Sequence, residues 1–341
     1  MRFGIFLLMQ SPSARPSAEI YPRGIEIVRH AELLGFETAW LAEHHFTNYS
    51  HSSQPFVFLS HLAARTKRIR LGTAIIPLPL HDPLFVAEQA AAVDVLSGGR
   101  LELGLGKGYQ KYQFDRLEVE RNTDPALFDE MVDITVKALC GQPFNHDGQA
   151  RQIPDTLLYP QPIQQPPPVW YVVNSLNTEA VAAAARRGFN LFTGTLEPIS
   201  TLTSVRSQVD ALGLSHPTRI ATQRPIFVTQ SEAEAEDIVE EARWNGRVSV
   251  AMRYEFGTVE AGVASAAKLP DEPTTAHVLE DHMIAGTPER CIHQLERIEK
   301  GLGVDTFNCS FWFGDMPQDK VLSSMNLFAE KVAPAFGAPR S

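Results

Sequence analysis

The chain has 341 residues, a formal net charge of −10 and three cysteines. The acidic balance argues against nucleic acid or an anionic membrane surface as the main partner, and three widely separated cysteines exclude a disulfide framework. No stretch approaches the roughly 18 apolar residues that a membrane-spanning helix requires, and the N-terminus lacks the pattern of a signal peptide. We therefore expect a soluble, cytoplasmic protein with no membrane or nucleic-acid partner.

The first hundred residues alternate between strand and helix patterns at short spacing. Gly35 follows a predicted helix as a good C-terminal residue, while Asp82 and Pro83 are suited to begin another. The predicted strands cover residues 2–9, 38–43, 69–76 and 101–105, and the predicted helices cover residues 19–34, 55–65 and 82–96. Alternation of this kind indicates a parallel sheet with helices outside it.

The same alternation resumes in the second half of the chain, with two irregular regions. The predicted strands cover residues 169–173, 190–193, 220–229 and 306–311, and the helices cover residues 124–139, 178–187, 198–212, 231–244, 287–300 and 318–331. Residues 141–168 are expected to form an excursion with one hairpin, and residues 247–284 a lid or active-site insertion. Eight strand–helix units predict a single-domain (β/α)8 TIM barrel with insertions, spanning residues 1–341.

The run TAWLAEHHF, residues 38–46, places a carboxylate and two imidazoles where a buried strand ends. A parallel barrel keeps its active site at the C-terminal ends of its strands, and histidine is suited to proton transfer near neutral pH. His44 is thus a candidate catalytic residue, with Glu43 or His45 as a partner that orients it. A structural histidine at the strand end is the alternative. A metal site of Glu43, His44, His45 and His51 is disfavoured because adjacent histidines on a strand diverge, and no metal is predicted.

Two loops at predicted strand ends could hold a phosphate. In LGKGYQ, Gly106 and Gly108 permit close approach of the backbone, and Lys107 supplies a positive charge. In VNSLNT, Ser175, Asn177 and Thr178 could either cap the next helix or present its N–H groups to a ligand. Since no G-x-G-x-x-G motif follows a strand, a built-in dinucleotide domain is not expected.

Seven segments in order carry a resemblance that spans nearly the whole chain: FGIFLLM, AEHHF, GTAIIPLP, GGRLELGLGKG, WYVVNSLNT, AGTPE and SSMNLFAEKVAPAF. With them the chain resembles the bacterial luciferase-like flavin-dependent monooxygenases, most closely the branch of the luciferase α-subunit. The resemblance implies an FMNH₂-dependent two-component monooxygenase. Such an enzyme adds O₂ to the reduced flavin, inserts one oxygen atom into a small organic substrate through a peroxyflavin, and receives FMNH₂ from a separate NAD(P)H:flavin reductase.

The resemblance also implies roles for single residues. His44 would act as acid or base at the flavin edge, and a non-proline cis peptide bond would join Ala74 to Ile75 beneath the flavin ring. The implied cofactor-binding residues are Ala74, Ile75, Lys107, Tyr109, Asn174, Ser175 and Thr178, with Lys107, Ser175 and Thr178 at the phosphate. Gly106 stands where luciferase has a cysteine, which argues against bioluminescence.

Two other functions remain open at this point. Sister families of the same barrel transfer hydride to or from a deazaflavin, and some luciferase relatives bind flavin without turnover. The family also pairs through helices beside the early strands. Here the helices at 55–65 and 82–96 share an alanine-rich face, which predicts a homodimer; simple packing of these alanines on the barrel is the alternative. The alanines are Ala63, Ala64, Ala87, Ala90 and Ala91.

Overall fold

The computed structural model describes residues 1–121, 124–194 and 198–337. Eight parallel strands close into a barrel, in which β1 pairs with β2 and β14, and β9 pairs with β10 to complete the ring. These strands are β1 (Arg2–Leu7), β2 (Thr38–Leu41), β3 (Arg70–Thr73), β5 (Leu101–Gly106), β8 (Val169–Val173), β9 (Asn190–Thr193), β10 (Ile220–Val228) and β14 (Thr306–Ser310). The predicted (β/α)8 barrel is confirmed.

The helices follow the strands and cover the outside of the barrel. They are α1 (Ser17–Leu33), α2 (Pro55–Arg65), α3 (Pro83–Ser97), α4 (Lys111–Arg116), α5 (Pro125–Ala138), α6 (Thr178–Arg186), α7 (Val205–Asp210), α8 (Glu232–Asp237), α9 (Val239–Arg253), α10 (Thr275–Asp281), α11 (Pro288–Leu302) and α12 (Gln318–Leu327). A π-helical turn, Phe328–Val332, continues the last of them. The N-cap predicted for α3 is present, since the Asp82 side chain accepts a hydrogen bond from the backbone N–H of Leu84.

Six further short strands lie outside or at the edge of the ring. They are β4 (Ile76–Pro77), β6 (Phe144–Asp147), β7 (Gln152–Thr156), β11 (Val259–Glu260), β12 (Val263–Ala264) and β13 (Ile284–Gly286). The antiparallel pair β6–β7 is the hairpin predicted within residues 141–168. The pair β11–β12 is a second hairpin, inside the predicted lid.

Aromatic rings fill the middle of the barrel. Trp40, Trp170 and Phe192 meet edge to face, with centroids 5.0–5.6 Å apart. Nearer the N-terminal ends of the strands, the buried carboxylate of Glu102 accepts hydrogen bonds from Arg70, Arg219 and the indole of Trp170. A buried carboxylate requires partners of this kind. Side chains and buried hydrogen bonds therefore fill the N-terminal end of the barrel.

Several predicted boundaries were wrong. The strand predicted at 69–76 divides at the cis bond between Ala74 and Ile75, leaving β3 and β4. The helix predicted at 198–212 is a 3₁₀ turn, Ile199–Thr201, followed by α7, because Leu202 is extended and Ser204 caps a new helix. The helix predicted at 231–244 is two helices, and the second runs to Arg253. The strand β13 was missed.

The extent of the domain and its excursions stays a prediction, but the structure shows where the predicted lid lies. Residues 247–253 continue α9, and the hairpin β11–β12 follows. Asn48 joins this hairpin to the loop after β2: its backbone N–H donates to Gly262 at 2.8 Å, and its side chain accepts from the backbone of Ala264 at 2.9 Å. The segment thus rests against the C-terminal end of the barrel.

Candidate active site

His44 lies three residues beyond the end of β2, at the C-terminal edge of the barrel. Its ring packs edge to face against Tyr49 and Tyr109, with centroids 4.9 and 5.7 Å away. Burial lowers the pKa of His44 from the usual 6.5 to about 3, and the charge of His45 adds a smaller contribution. The residue is only partly buried, and the direction of the shift leaves the imidazole neutral at pH 7.

The orienting partner predicted for His44 was wrong. Glu43 is buried, and its Oε1 accepts from Nε2 of His45 at 2.8 Å and Nε2 of His81 at 2.6 Å. His44 Nδ1 instead faces the side-chain amide of Gln113, whose Nε2 lies 3.0 Å away. Glu43 and His45 thus meet on one side of the chain while His44 contacts another group, as alternation along an extended run predicts, but the side chain that meets His44 comes from α4.

The cluster that could hold a metal also differs from the one considered from the sequence. The structure brings Glu43 and His45 together with His81, and the possible ligand atoms lie within 4.8 Å of one another. His44 and His51 are not part of this group. The carboxylate of Glu43 forms direct hydrogen bonds with both imidazoles.

Tyr109 joins the neighbourhood of His44 to α9. Its hydroxyl lies 3.5 Å from the hydroxyl of Tyr49 and 3.4 Å from Oγ of Ser249. The guanidinium of Arg253 lies 4.6 Å from the centroid of the Tyr109 ring. Burial raises the pKa of Tyr49 well above its usual value, which keeps this hydroxyl protonated. Helix α9 therefore covers one side of the His44 site.

Ala74 and Ile75 are joined by a non-proline cis bond, as predicted from the resemblance. The backbone N–H of Ala74 donates to Leu41 at 2.7 Å, which places this bond beside the end of β2. The side chain of Ile75 lies over two glycines of β5. A Cβ at Gly106 would be 2.8 Å from Cδ1 of Ile75, and a Cβ at Gly104 would be 3.3 Å from its Cγ2. The larger side chain at residue 75 is accommodated because β5 has no side chains there.

The two loops proposed to hold a phosphate follow neighbouring strands. The register pairs Leu105 with Tyr171, so Lys107 and the loop of residues 174–178 leave the barrel at the same edge. Lys107 is exposed, its ammonium lies 5.4 Å from the centroid of the Phe128 ring, and no described carboxylate pairs with it. An ion-pair partner therefore does not compete with an anion for Lys107.

At the start of α6, each polar side chain has a different position. Asn177 is the N-cap, and its Oδ1 accepts from the backbone of Ala180 at 3.0 Å. Oδ1 of Asn174 accepts from the backbone of Leu176 at 2.8 Å, within the preceding turn. Ser175 is buried and Thr178 is exposed. Capping is thus performed by Asn177, which leaves Thr178 accessible at the first turn of the helix.

The structure divides the predicted site residues into two groups. Lys107, Asn174, Ser175 and Thr178 share the edge after β5 and β8, while the Tyr109 side chain turns toward His44. Reasoning from the sequence missed Gln110, Gln113, Tyr49 and Ser249. The two glutamines are three residues apart, a spacing that places side chains on one face of a helix. No other local signal distinguishes them.

A family model described as "Luciferase-like monooxygenase" matches residues 1–306. The chain belongs to the luciferase-like monooxygenases. This luciferase-like chain is 28% identical to the oxygenase component of a flavin-dependent trigonelline monooxygenase from Acinetobacter baylyi, over 98% of its own length and 96% of the relative. It is 25% identical to the alkanal monooxygenase alpha chain of a Kryptophanaron alfredi symbiont, over 98% of each chain.

Solved structures agree with the fold of this luciferase-like monooxygenase. The monooxygenase RslO1 from Streptomyces bottropensis superposes with a TM-score of 0.85 at 23% identity, covering 98% of this chain and 100% of that one. The oxygenating constituent of 3,6-diketocamphane monooxygenase from Pseudomonas putida, solved with FMN, superposes with a TM-score of 0.76 at 18% identity, covering 98% of each chain. The predicted family and the enzyme class of flavin-dependent monooxygenases are confirmed. Within the described part of the chain, no helix is long and apolar enough to cross a membrane.

Proposed function

We propose that this chain is the oxygenase component of a two-component monooxygenase that uses FMNH₂ and O₂ to oxygenate a small organic substrate. The observation that carries the proposal is the position of His44, which follows the end of β2, where the backbone N–H of Ala74, at the cis bond to Ile75, donates to Leu41. The proposal includes the peroxyflavin route that was predicted from the sequence. When bound, reduced FMN supplies the two electrons that convert O₂ into the transferred oxygen atom and water.

The residues fit a flavin in two respects. Glycines at 104 and 106 make room for the Ile75 side chain against β5, so this side chain packs on the barrel beside the cis bond that is proposed to lie under the ring. The unpaired ammonium of Lys107 and the start of α6 suit a phosphate. In the proposal Ala74 and Ile75 lie under the ring, Lys107, Ser175 and Thr178 hold the phosphate, and Asn174 and Tyr109 complete the two loops.

His44 is the proposed catalytic residue. Its neutral ring can hold a proton at one nitrogen without the charge that burial opposes. Tyr49, Tyr109 and α9 surround it, and the hairpin β11–β12 closes over the loop after β2. These elements exclude water from the site, which favours transfer of oxygen to the substrate over its loss as hydrogen peroxide. Covering the site is thus the function that we propose for residues 247–284.

A separate NAD(P)H:flavin reductase is the proposed source of FMNH₂. The name of the trigonelline enzyme, an oxygenase component, describes such a division of labour in a relative of nearly equal length. A location in the cytoplasm remains a prediction, as does the homodimer.

The alanine face predicted to form the dimer is mostly internal. Ala63, Ala87, Ala90 and Ala91 are buried within the chain. The outer surface of the same two helices nevertheless carries large apolar side chains: Val57 on α2 is 68% exposed, and Phe85 and Leu96 on α3 are 64% and 63% exposed. A second copy of the chain is the occupant that we propose for this surface. Light scattering near 37.8 kDa at micromolar concentration would reject the dimer.

Anaerobic titration of the full chain tests the proposed cofactor. We expect tight binding of FMNH₂, and then, after admission of O₂, an oxygenated product from at least one member of a panel of aldehydes, ketones, sulfonates and N-heterocycles. Binding of the reduced deazaflavin alone would favour the hydride-transfer alternative. Tight FMNH₂ binding followed only by peroxide with every substrate would favour the non-catalytic alternative.

A further inference from the structure

A chain of side-chain amides reaches His44 from the loop after β5. Gln113 Nε2 lies 3.0 Å from His44 Nδ1 and donates to Oε1 of Gln110 at 2.7 Å. Gln110 Nε2 donates in turn to the hydroxyl of Tyr109 at 3.2 Å. Both glutamines are buried, with 3% and 1% of their surfaces exposed. Two buried amides aligned in this way limit the hydrogen bonds that the imidazole can form.

We propose that Gln113 is a positioning residue that fixes the tautomer of His44, with its amide N–H donating to Nδ1 so that Nε2 carries the proton. A neutral imidazole has one donor and one acceptor nitrogen, and the hydrogen bond at one nitrogen decides the state of the other. Among the described residues, Nε2 makes no hydrogen bond, and His44 is only partly buried. His44 therefore presents a donor at Nε2. The proposal rests on the proposed function for the role of His44 in the reaction.

The direction of donation is consistent along the whole chain. Tyr109 accepts from Gln110 and directs its own proton to Tyr49, while Gln113 donates to both of its acceptors. The opposite direction requires both amides to rotate by half a turn and Tyr109 to donate to Gln110. It would place an amide oxygen against Nδ1 and move the proton of His44 to that atom, which is a measurable difference.

Among the residues that the structure describes, the groups in contact with His44 carry no negative charge. Tyr49 and Tyr109 pack on the ring, His45 is the next residue, and Arg253 lies on the far side of Tyr109. The carboxylate of Glu43 is engaged by His45 and His81. An imidazolium at His44 would be unpaired, whereas a carboxylate at residue 113 would stabilise it. The neutral amide thus makes His44 a hydrogen-bond donor toward an oxygen that gains negative charge, and not a base at Nε2.

Nitrogen-15 NMR of histidine in the full chain without flavin tests the tautomer directly. The His44 signals are assigned by their loss in His44→Phe. We expect the parent to show the Nε2–H tautomer of His44, with no titration between pH 5 and pH 8. An Nδ1–H tautomer in the parent would overturn the proposal without any variant of Gln113.

Two substitutions then test the role of Gln113 itself. Gln113→Met keeps the length but removes the donor, and should shift His44 toward a mixture of tautomers. Gln113→Glu should raise the pKa of His44 by about one to three units and move the neutral-state proton to Nδ1. Gln142→Met, at an exposed position just after α5, is the matched control and should change neither property. Unchanged His44 signals in Gln113→Met, with a native circular dichroism spectrum, would reject the proposal.

The outcome is separable from that of the proposed function. The NMR experiment contains no flavin, so a failure to bind FMNH₂ would remove the proposed function and leave the tautomer result in place. Conversely, tight FMNH₂ binding and product formation together with an Nδ1–H tautomer would preserve the function and remove only the role of Gln113.

Discussion

The indole of Trp40 lies directly against the backbone of Gly72, so that a Cβ at residue 72 would be 2.2 Å from Cε3 of Trp40. The two residues are partners in the register of β2 and β3. Trp40 can occupy the barrel interior together with Trp170 and Phe192 only because its neighbour has no side chain. The glycine of the GTAIIP segment is thus explained by the aromatic floor below the site.

Gly72→Ala should destabilise the protein, because the new methyl group would overlap a fully buried ring that has no room to move. We expect the free energy of unfolding to fall by about 1–3 kcal/mol, measured by urea denaturation. Gly246→Ala, within α9, is the control, since no atom lies within 4 Å of its Cβ position. That change should be neutral or raise stability by about 0.4–1 kcal/mol. Equal losses in the two variants would contradict the packing argument.

The contact between Ile75 and Gly106 predicts that substitutions at the two positions are coupled. Gly106→Ala alone should displace the Ile75 side chain and lower the free energy of unfolding. In the Ile75→Ala background, Gly106→Ala should lower the free energy of unfolding by a smaller amount, with a coupling energy of about 0.5–3 kcal/mol. A double-mutant cycle by urea denaturation measures this coupling. Simple additivity of the two single effects would show that Ile75 does not fill the space above Gly106.

Lys107→Ala tests the proposed phosphate site. Loss of one charge-assisted contact should weaken FMNH₂ binding about ten- to a hundredfold, as measured by anaerobic titration. Riboflavin, which has no phosphate, should bind parent and variant equally. Lys111→Ala is the charge control, because Lys111 is exposed and paired with Asp115. Unchanged FMNH₂ affinity in Lys107→Ala would place the phosphate elsewhere, and equal losses in both variants would indicate only long-range electrostatics.

The effects of His44→Ala should be the reverse of those of Lys107→Ala. Its affinity for FMNH₂ should stay near that of the parent, while the product formed per reduced flavin falls and hydrogen peroxide rises. His293→Ala is a suitable control, since His293 lies on the exposed surface of α11. Peroxide assay and product quantification in single-turnover reactions measure the ratio. Parent-like coupling in His44→Ala would exclude His44 from the chemistry.

Three histidines should make stability depend on pH. Burial lowers the pKa values of His44, His51 and His282 below the usual 6.5, to about 3 for His44. The unfolded chain therefore binds protons that the folded chain does not bind, and the free energy of unfolding falls as pH drops below about 6.5. For His44 the decrease in the free energy of unfolding approaches roughly 1.4 kcal/mol per pH unit. Urea denaturation between pH 7 and pH 4 should show a shallower decline in His44→Gln, and parallel curves would contradict the assignment.

The sequence by itself determined the barrel, because the alternation of strand and helix patterns is local and repeats along the chain. It also determined that His44 closely follows a barrel strand, that a hairpin lies within residues 141–168, and, through the resemblance, that a cis bond joins Ala74 to Ile75. Each of these depends on residues close together in the chain or on a recognisable segment.

Only the tertiary structure decided which side chains meet. Gln113 is 69 residues from His44, and His81 is 38 residues from Glu43. No local pattern relates such pairs. Alternation after β2 accounts for the contact of Glu43 with His45, but it does not reveal His81 or Gln113. The three-residue strand β13 was missed for a similar reason, since it is a strand only through its pairing with β10. Hydrogen bonds across strand ends depend on barrel closure, which brings distant loops to one edge.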